Sequence, residues 1–229
     1  GTLILSGNLP QNIPAGAFSG NQLQNLYINN PTQVNLEGMV KVSGVVRTIQ
    51  GTLISNGYLT LLSDPNGTAL ISGSGSGTIV GNMHLQRYLD PVFGYKYISS
   101  PLLGTRVSDL EPYMQLQDSV TGFPHFYRYI ESREDEDAFD LTGWEAYTDP
   151  SLPLNALEGY AAYFGSSGKT LTIMFSGEPN NGPQSRVLHN TNGQYTKGFH
   201  LAGNPYPSPI DWDSEGWTKT NIDDAVYFF

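Results

Sequence analysis

Hydrophobic and polar residues alternate along several short stretches of this chain. In "MVKVSGVV", Val40 and Val42 stand on either side of a lysine, and in "TLTIMFSG", Leu171, Ile173 and Phe175 alternate with other side chains. A period of two residues is that of a β-strand with one buried face. No stretch keeps the helical period of about 3.6 residues over several turns. The pattern therefore predicts an all-β protein with few helices.

The N-terminal part contains strand-like runs separated by glycine and asparagine. These runs recur around Ile28, Val42, Leu59 and Ile79, at intervals of about 14 to 20 residues. Such a spacing favours a β-solenoid, in which each coil buries its apolar side against the next. A small antiparallel sheet is the alternative. The run "SGSGSG" at 72–77 is predicted to be the tip of a long hairpin rather than a flexible linker, because strand-like runs resume on both sides.

Charge and aromatic residues divide the chain near residues 88–91. Residues 1–90 carry three acids and three bases, whereas residues 91–229 carry 18 acids and eight bases. Four aromatic residues lie in the first part and 23 in the second. We therefore predict two modules, with β-solenoid-like strand repeats over 1–89 and an acidic, aromatic-rich β-sandwich over 90–229.

The second module has strand candidates joined by loops rich in proline and glycine. They are "YKYISS", "HFYRYIE", "GYAAYF", "TLTIMFSG" and "AVYFF". One helical turn is predicted over 107–114, with Ser108 as its cap. The chain stops inside the strand-like run "AVYFF", so we expect the sandwich to be truncated and the chain to be a fragment of a longer protein.

Composition argues against several classes of function. The absence of cysteine excludes a disulfide framework, thiolate zinc sites and a cysteine nucleophile. A net charge of -10 would repel nucleic acid. The four histidines are widely separated, and "GKT" at 168–170 lacks the earlier glycine of a phosphate-binding loop. No apolar run is long enough to span a bilayer. We expect no catalytic residues, no enzyme activity and no membrane insertion.

Four phrases of the sequence resemble those of a known group of proteins. They are "LTLLSDPNGTALI" at 59–71, "LQRYLD" at 85–90, "YKYISSPL" at 95–102 and "GFHLAGNPYPSPIDW" at 198–212. In this order they resemble the large secreted or surface proteins of the Bacteroidota that are exported by the type IX secretion system. The resemblance implies an extracellular or cell-surface location, an adhesin-like parent protein and contact with the secretion machinery during export. It also implies an O-glycosylation candidate at Ser119, in the short pattern "DSV" associated with that phylum.

Aromatic residues in loop-like segments of the acidic module are candidates for binding sugars. Trp144, Tyr147, Trp212 and Trp217 stand near Asp and Asn, and aromatic faces beside hydrogen-bonding groups suit stacking on sugar rings. The alternative is that these rings fill the core of the sandwich, because large aromatic side chains are mostly buried.

The acidic run "ESREDEDAFD" is a candidate for a calcium site. Its first ligands to test are Asp135, Asp137 and Asp140. The run lacks the ordered acids and glycine of an EF-hand loop, so a solvated loop between strands is the alternative.

The run "NPYPSPIDWD" at 204–213 places prolines at every second position. Each proline removes a backbone donor, so this run cannot lie inside a sheet and should form an extended edge or crossover. We expect Ile210 and Trp212 to point inward, and the bonds before Pro205 and Pro207 are candidates for the cis form.

Together these patterns predict a non-catalytic extracellular module with a structural or adhesion role in a larger protein. A glycan or a cell-surface molecule is the expected partner. A carbohydrate-binding module with exposed Trp and Tyr is the first alternative. A fragment of a polysaccharide-degrading enzyme is the second, and only the analogy with enzymes built on β-solenoids supports it.

Overall fold

The computed structural model describes residues 1–134, 141–223 and 225–227. The strands of the first part are β1 (Thr2–Ser6), β2 (Gln11–Ile13), β3 (Gln22–Leu23), β4 (Asn25–Leu36), β5 (Val40–Val42), β6 (Val45–Ile54), β7 (Leu59–Leu61), β8 (Ser63–Asp64), β9 (Gly67–Thr68), β10 (Leu70–Ile71), β11 (Thr78–Val80) and β12 (Met83–Val92). Those of the second part are β13 (Tyr95–Ile98), β14 (Leu102–Leu103), β15 (Phe126–Tyr129), β16 (Trp144–Ala146), β17 (Tyr160–Tyr163) and β18 (Lys169–Pro179). The prediction of an all-β protein is confirmed.

Helical structure in the described ranges is limited to two short 3-10 turns, Ser19–Asn21 and Val107–Leu110. The second confirms the predicted helical turn, but the prediction of Ser108 as its cap is wrong. Ser108 lies inside the turn, and the carboxylate of Asp109 accepts a hydrogen bond from the backbone N–H of Arg106 (2.9 Å) just before it. Neither turn is long enough to cross a membrane.

Two parallel sheets form the coils of a β-solenoid. The first sheet has the order β1-β4-β6-β10, with β2 beside β4 and β11 beside β6. The second contains β3, β5, β7 and β12 as parallel neighbours. Inward side chains such as Leu26, Val42, Leu53 and Leu61 are fully buried. The solenoid prediction is confirmed, and the alternative of a small antiparallel sheet is wrong because these strands pair in parallel.

The coils of the solenoid differ in length. Paired residues in neighbouring coils are 19 apart at Gln22 and Lys41, and 26 apart at Leu53 and Ile79. The predicted interval of 14 to 20 residues holds for the shorter coils and is too short for the others. Its lower values arise because successive apolar runs belong to different sheets. The step from β4 to β5, for example, covers only part of a coil.

The coils turn at a corner where backbone segments stack closely. Gly51 has a φ of 76°, and a Cβ on this residue would overlap the backbone oxygen of Asn30 in the coil below. Asn30 is itself buried, and its side-chain amide donates to the backbone oxygen of Leu9 (2.7 Å) while its oxygen accepts from the N–H of Thr32 (2.9 Å). At this corner the buried side chain of Asn30 thus has its hydrogen-bond partners, and Gly51 of the next coil lies directly against the Asn30 backbone.

The glycine-serine run 72–77 is the same corner in the next coil. It connects β10 to β11, which both run parallel to β6, so the predicted hairpin tip is wrong. The hydroxyl of Thr48 donates to the backbone oxygen of Gly77 (3.1 Å), and the N–H of Ser76 donates to Ile49 (3.0 Å). A Cβ on Gly75 would overlap the backbone oxygen of Thr48. The glycines allow this close stacking of backbone on backbone.

Strand β12 connects the solenoid to the second half of the chain. It pairs in parallel with β7 and antiparallel with β18, which in turn pairs with β14. The composition boundary between residues 89 and 90 lies within β12. One buried cluster contains Leu85 of β12 together with Phe126 and Tyr160 of the second half.

A separate four-stranded antiparallel sheet has the order β13-β17-β15-β16. Four of the predicted strands of the second half are thus present as β13, β15, β17 and β18. The fifth is wrong where the structure describes it, because residues 225–227 form no strand. The packing of the second half as a complete β-sandwich stays a prediction.

The proline-rich run 204–213 belongs to no sheet and passes between β10 and the end of β18. The N–H of Ile71 in β10 donates to the backbone oxygen of Pro207 (2.9 Å), and the side-chain amide of Asn180 donates to that of Pro205 (2.7 Å). The run therefore ties the end of β18 to the solenoid edge as a connector. Two details are wrong: Ile210 is 41% exposed, and the cis bond is Asp90–Pro91 rather than one of the two candidates.

Candidate binding face on the antiparallel sheet

One face of the sheet β13-β17-β15-β16 is covered by aromatic rings. The cross-strand register places Tyr95 opposite Tyr163, and Tyr129 opposite Trp144. Because side chains alternate between the two faces of a strand, residues two apart in each strand lie on the same face. The members of this aromatic face are Tyr95, Tyr97, His125, Tyr127, Tyr129, Trp144 and Tyr163.

The rings of the aromatic face contact one another. Tyr97 stacks on Trp144 with centroids 5.9 Å apart and planes inclined by 23°, and Tyr129 meets Trp144 edge-on at 5.2 Å. Tyr95 lies 5.1 Å from Tyr163 and 6.1 Å from Tyr127 between ring centroids. Pairs of this geometry stabilise each other beyond simple burial. These contacts form two groups on the same face of the sheet, Tyr97 with Trp144 and Tyr129, and Tyr95 with Tyr127 and Tyr163.

A small residue lies between these rings in the middle of the sheet. Ala161 in β17 is opposite both Tyr97 and Tyr127, and it is only 5% exposed. Tyr97 belongs to the first strand of the sheet and Trp144 to the fourth, yet their rings meet. Both side chains must therefore lean toward the middle of the sheet. Tyr97 remains 47% exposed and Tyr95 45%, so ring surface is presented to solvent.

The opposite face of the same sheet belongs to the core. Phe126 and Tyr160 are fully buried and stack with centroids 5.4 Å apart. Tyr147 is also on this side, is 3% exposed and donates its hydroxyl to the backbone oxygen of Pro153 (2.9 Å). Its assignment as a sugar-binding residue is therefore corrected, because a buried ring cannot stack on a ligand. Trp144 and Tyr147 are three residues apart, so they point to opposite faces.

Two carboxylates lie near Tyr129 at one end of the aromatic face. Burial raises the pKa of Tyr129, and the carboxylates of Glu131 and Glu134 raise it further. Burial also raises the pKa of Tyr95. Both phenols therefore keep their protons at neutral pH and can act as hydrogen-bond donors. The cations of this sheet, Lys96 and Arg128, alternate with the tyrosines and so belong to the other face.

Trp212 and Trp217 form a separate pair after the connector. Their ring centroids are 5.2 Å apart with planes inclined by 47°, and both are half-buried. The indole N–H of Trp217 donates to the backbone oxygen of Asp211 (2.6 Å), and the Lys219 ammonium lies 4.6 Å from the Trp212 ring centroid. Of the four predicted sugar-binding residues, Trp144 alone belongs to the aromatic face.

The acidic loop contains a buried carboxylate with a structural partner. Glu131 is 2% exposed and accepts hydrogen bonds from the N–H and hydroxyl of Thr191 and from the N–H of Gly198 (3.1 Å). Burial alone would raise the pKa of this carboxyl group. The hydrogen bonds from Thr191 and Gly198 and the charge of His200 outweigh burial and hold the pKa below its ordinary value. Through these hydrogen bonds, Glu131 holds the segment 191–198 against the end of β15.

We expect acid to release this segment. A depressed pKa means that the carboxylate contributes stability above the ordinary glutamate pKa of about 4.3, and that the contribution is lost as the pH falls through the lower folded value. Glu131→Gln should speed amide hydrogen exchange in 191–198 at pH 7, because the charged acceptor is lost. Glu111→Gln, at an exposed glutamate, is the control. Equal exchange in the Glu131 variant and the wild type would contradict this role.

The remaining candidates of the sequence lie apart from the aromatic face. Asp135, Asp137 and Asp140 lie outside the described residues, so calcium binding stays a prediction. Over the described ranges, no group of three or more His, Asp or Glu side chains is placed to hold a metal ion. Ser119 is exposed beside a turn in which Asp118 accepts from the N–H of Thr121 (2.7 Å). Its glycosylation stays a prediction.

Sequence reasoning missed most of the aromatic face. The missed residues are Tyr95, Tyr97, His125, Tyr127, Tyr129 and Tyr163. A signal was present, because "YKY" and "FYRY" place tyrosines at alternate positions of two predicted strands, and hence on one face. That face is exposed only because the sheet buries its phenylalanine-bearing side.

Comparison with known proteins gives one family. The family model described as a domain of unknown function, DUF8693, matches residues 10–229. Neither the curated proteins nor the solved structures contain a match. Because the family match covers nearly the whole chain, the chain belongs to the DUF8693 family.

Proposed function

We propose that this chain is a non-catalytic module of a large secreted or cell-surface protein, with a structural and adhesive role. Its solenoid and its antiparallel sheet share one buried core, which suits a firm support for a binding surface. The resemblance of four sequence phrases to exported proteins of the Bacteroidota supports an extracellular location and export by the type IX system. The aromatic face is the surface through which the module adheres.

The observation that carries this proposal is the gathering of aromatic rings on one face of a sheet whose other face packs against the core. Tyr127 is buried among these rings, and the other members are partly or largely exposed. Tyr95 and Tyr97 keep nearly half of their surface in contact with solvent. Exposed aromatic clusters of this kind mark interaction sites more often than isolated surface rings do. Stacking of Tyr97 on Trp144 holds the rings in place, so little side-chain entropy is lost when a partner binds.

Adhesion can be tested with beads that carry the whole chain. We expect beads with the wild-type chain to be retained on polysaccharide-coated or mucin-coated surfaces, and beads with Tyr97→Ala/Trp144→Ala to be retained at least 10-fold less. The control is Tyr195→Ala, which removes a 66% exposed ring from another segment and should have no effect. Retention on no surface, or equal retention of the double variant, would refute the proposal.

Carbohydrate binding is the second candidate and describes how the adhesion would work. It is favoured by the tyrosines and tryptophan of one face, which offer both apolar ring surface and hydroxyl groups, as sugar rings require. A non-catalytic module should release a retained polysaccharide at its original length. Size-exclusion chromatography of the polysaccharide after incubation tests this, and new short fragments would indicate an enzyme instead.

A further inference from the structure

We propose that the aromatic face binds an uncharged, extended polysaccharide, rather than an anionic glycan or a protein segment. This inference rests on the proposed adhesive function and names the class of ligand for the same surface. It depends on three features of the face, which are its extent, its polar groups and its charge.

The extent of the face favours a chain over a single sugar. The rings extend from β13 at one edge of the sheet to β16 at the other. Tyr95, Tyr163 and His125 follow one another across three neighbouring strands, with ring centroids 5.1 and 4.9 Å apart, and three rings in a row are longer than one sugar ring. Beside Tyr97 the face has an open depression of about 120 Å³, which is lined by Ser99, Gly159 and Gly203. Several sugars in a row can therefore contact rings at once.

The polar groups of the face favour a ligand rich in hydroxyls. The phenols of Tyr95 and Tyr129 stay protonated, and His125 adds an imidazole 4.9 Å from the ring of Tyr163. An apolar protein segment packed here would remove water from these groups and leave them with fewer partners, which is costly. A sugar chain can place its C–H faces on the rings and exchange hydroxyl hydrogen bonds with the phenols.

The charge around the face opposes an anionic chain. The carboxylates of Glu131 and Glu134 are close enough to Tyr129 to raise its pKa. Lys96 and Arg128 belong to the other side of the sheet, and Arg128 is paired there with Glu145 at 2.5 Å. Residues 91–229 carry 18 acids against eight bases. A uronate or sulfated chain would approach a module with a large excess of acids, and the two cations within the described strands of this sheet belong to its other face.

The test is titration calorimetry of the whole chain with three soluble hexasaccharides: β-1,4-linked glucose, β-1,4-linked N-acetylglucosamine and α-1,4-linked galacturonate. We expect at least one neutral hexamer to bind at least 10-fold more tightly than the galacturonate hexamer, and more tightly than its own disaccharide. Tyr97→Ala and Trp144→Ala should each weaken that binding about 10-fold. Trp144→Phe keeps a ring and should weaken it less, and Trp217→Ala should leave it unchanged.

Three results would overturn this inference. Tighter binding of galacturonate would assign an anionic ligand, and binding that survives both alanine variants would place the site elsewhere. If no hexasaccharide binds while beads still adhere through Tyr97 and Trp144, the ligand class is wrong and the adhesive function stands. If the beads do not adhere either, the proposed function itself fails. Unchanged thermal unfolding of Tyr97→Ala and Trp144→Ala serves as the control for folding.

Discussion

Replacing Tyr160 with alanine is expected to lower the free energy of unfolding by about 3 to 5 kcal/mol. Tyr160 is fully buried, and its ring stacks on Phe126. Its hydroxyl accepts a hydrogen bond from the N–H of Asn155 (2.8 Å) and donates one to Glu158 (2.9 Å). Truncation would remove a large ring and leave a cavity that the surrounding sheet can fill only in part. Urea or thermal unfolding of the two proteins measures the difference.

Two further substitutions separate the ring from its hydroxyl and from general effects. Tyr160→Phe keeps the stacking on Phe126 and loses the two hydrogen bonds, so it should cost about 1 to 2 kcal/mol. Tyr195→Ala removes a 66% exposed ring and should change stability by no more than about 0.5 kcal/mol. If Tyr160→Ala cost no more than Tyr195→Ala, the ring could not be part of the core that supports the sheet.

The position of Tyr160 also connects stability with the binding face. Tyr160 and its neighbour Ala161 point to opposite faces of β17, one to the core and one to the aromatic face. Tyr163, two residues beyond Ala161, is a member of the aromatic face. The packing of Tyr160 in the core positions strand β17, and the position of β17 in turn determines where the rings on its other face lie. Loss of Tyr160 should weaken adhesion even though it contacts no ligand.

The strands of the second half could be predicted because their patterns are local. In β18, Ile173 and Phe175 are buried while Met174 is exposed, which is the alternation visible in the sequence. In β13 and β15 the alternation is one of residue type, because "YKY" and "FYRY" place tyrosines at every second position although burial does not alternate there. A period of two residues is a property of one strand, so no knowledge of its neighbours is needed.

The aromatic face could not be assembled from such local patterns. Tyr97 and Trp144 are brought together by three strand pairings, and each pairing has its own register. A shift of one residue in any of them would exchange the exposed and buried faces. The same limit explains the error at Tyr147, since composition and spacing do not indicate which of Trp144 and Tyr147 faces the core. Register is decided by packing between segments distant in sequence.

The solenoid corner is a second feature that sequence patterns describe poorly. Glycine-serine repeats are common in hairpins and linkers, and the run 72–77 has the composition of either. Its role follows from what lies beneath it, because the backbone of Thr48 and Gly51 leaves no space for a side chain on Gly75 or Gly77. Contacts between coils therefore require glycine at these positions. Such contacts join segments distant in sequence, so a single stretch of the chain does not reveal them.

Replacing Gly51 with alanine is expected to lower the free energy of unfolding by about 3 kcal/mol or more. Two costs combine at this position. A φ of 76° is unfavourable for a residue with a Cβ, at about 1 kcal/mol. The new Cβ would also overlap the backbone oxygen of Asn30, so the coil must shift at the corner. Such a shift would disturb the hydrogen bonds of the Asn30 side chain, which is buried and has no water to replace them.

Two other glycines of the solenoid serve as matched controls in the same unfolding experiment. Gly57 has a similar φ of 79° but open space around it, so Gly57→Ala should show the backbone cost alone, about 1 kcal/mol. Gly73 has open space and an ordinary φ, so Gly73→Ala should be close to neutral. The order Gly51, Gly57, Gly73 is thus expected for the loss of stability. Equal losses at Gly51 and Gly57 would mean that the coils can separate at the corner without cost, and that close stacking there does not hold the solenoid together.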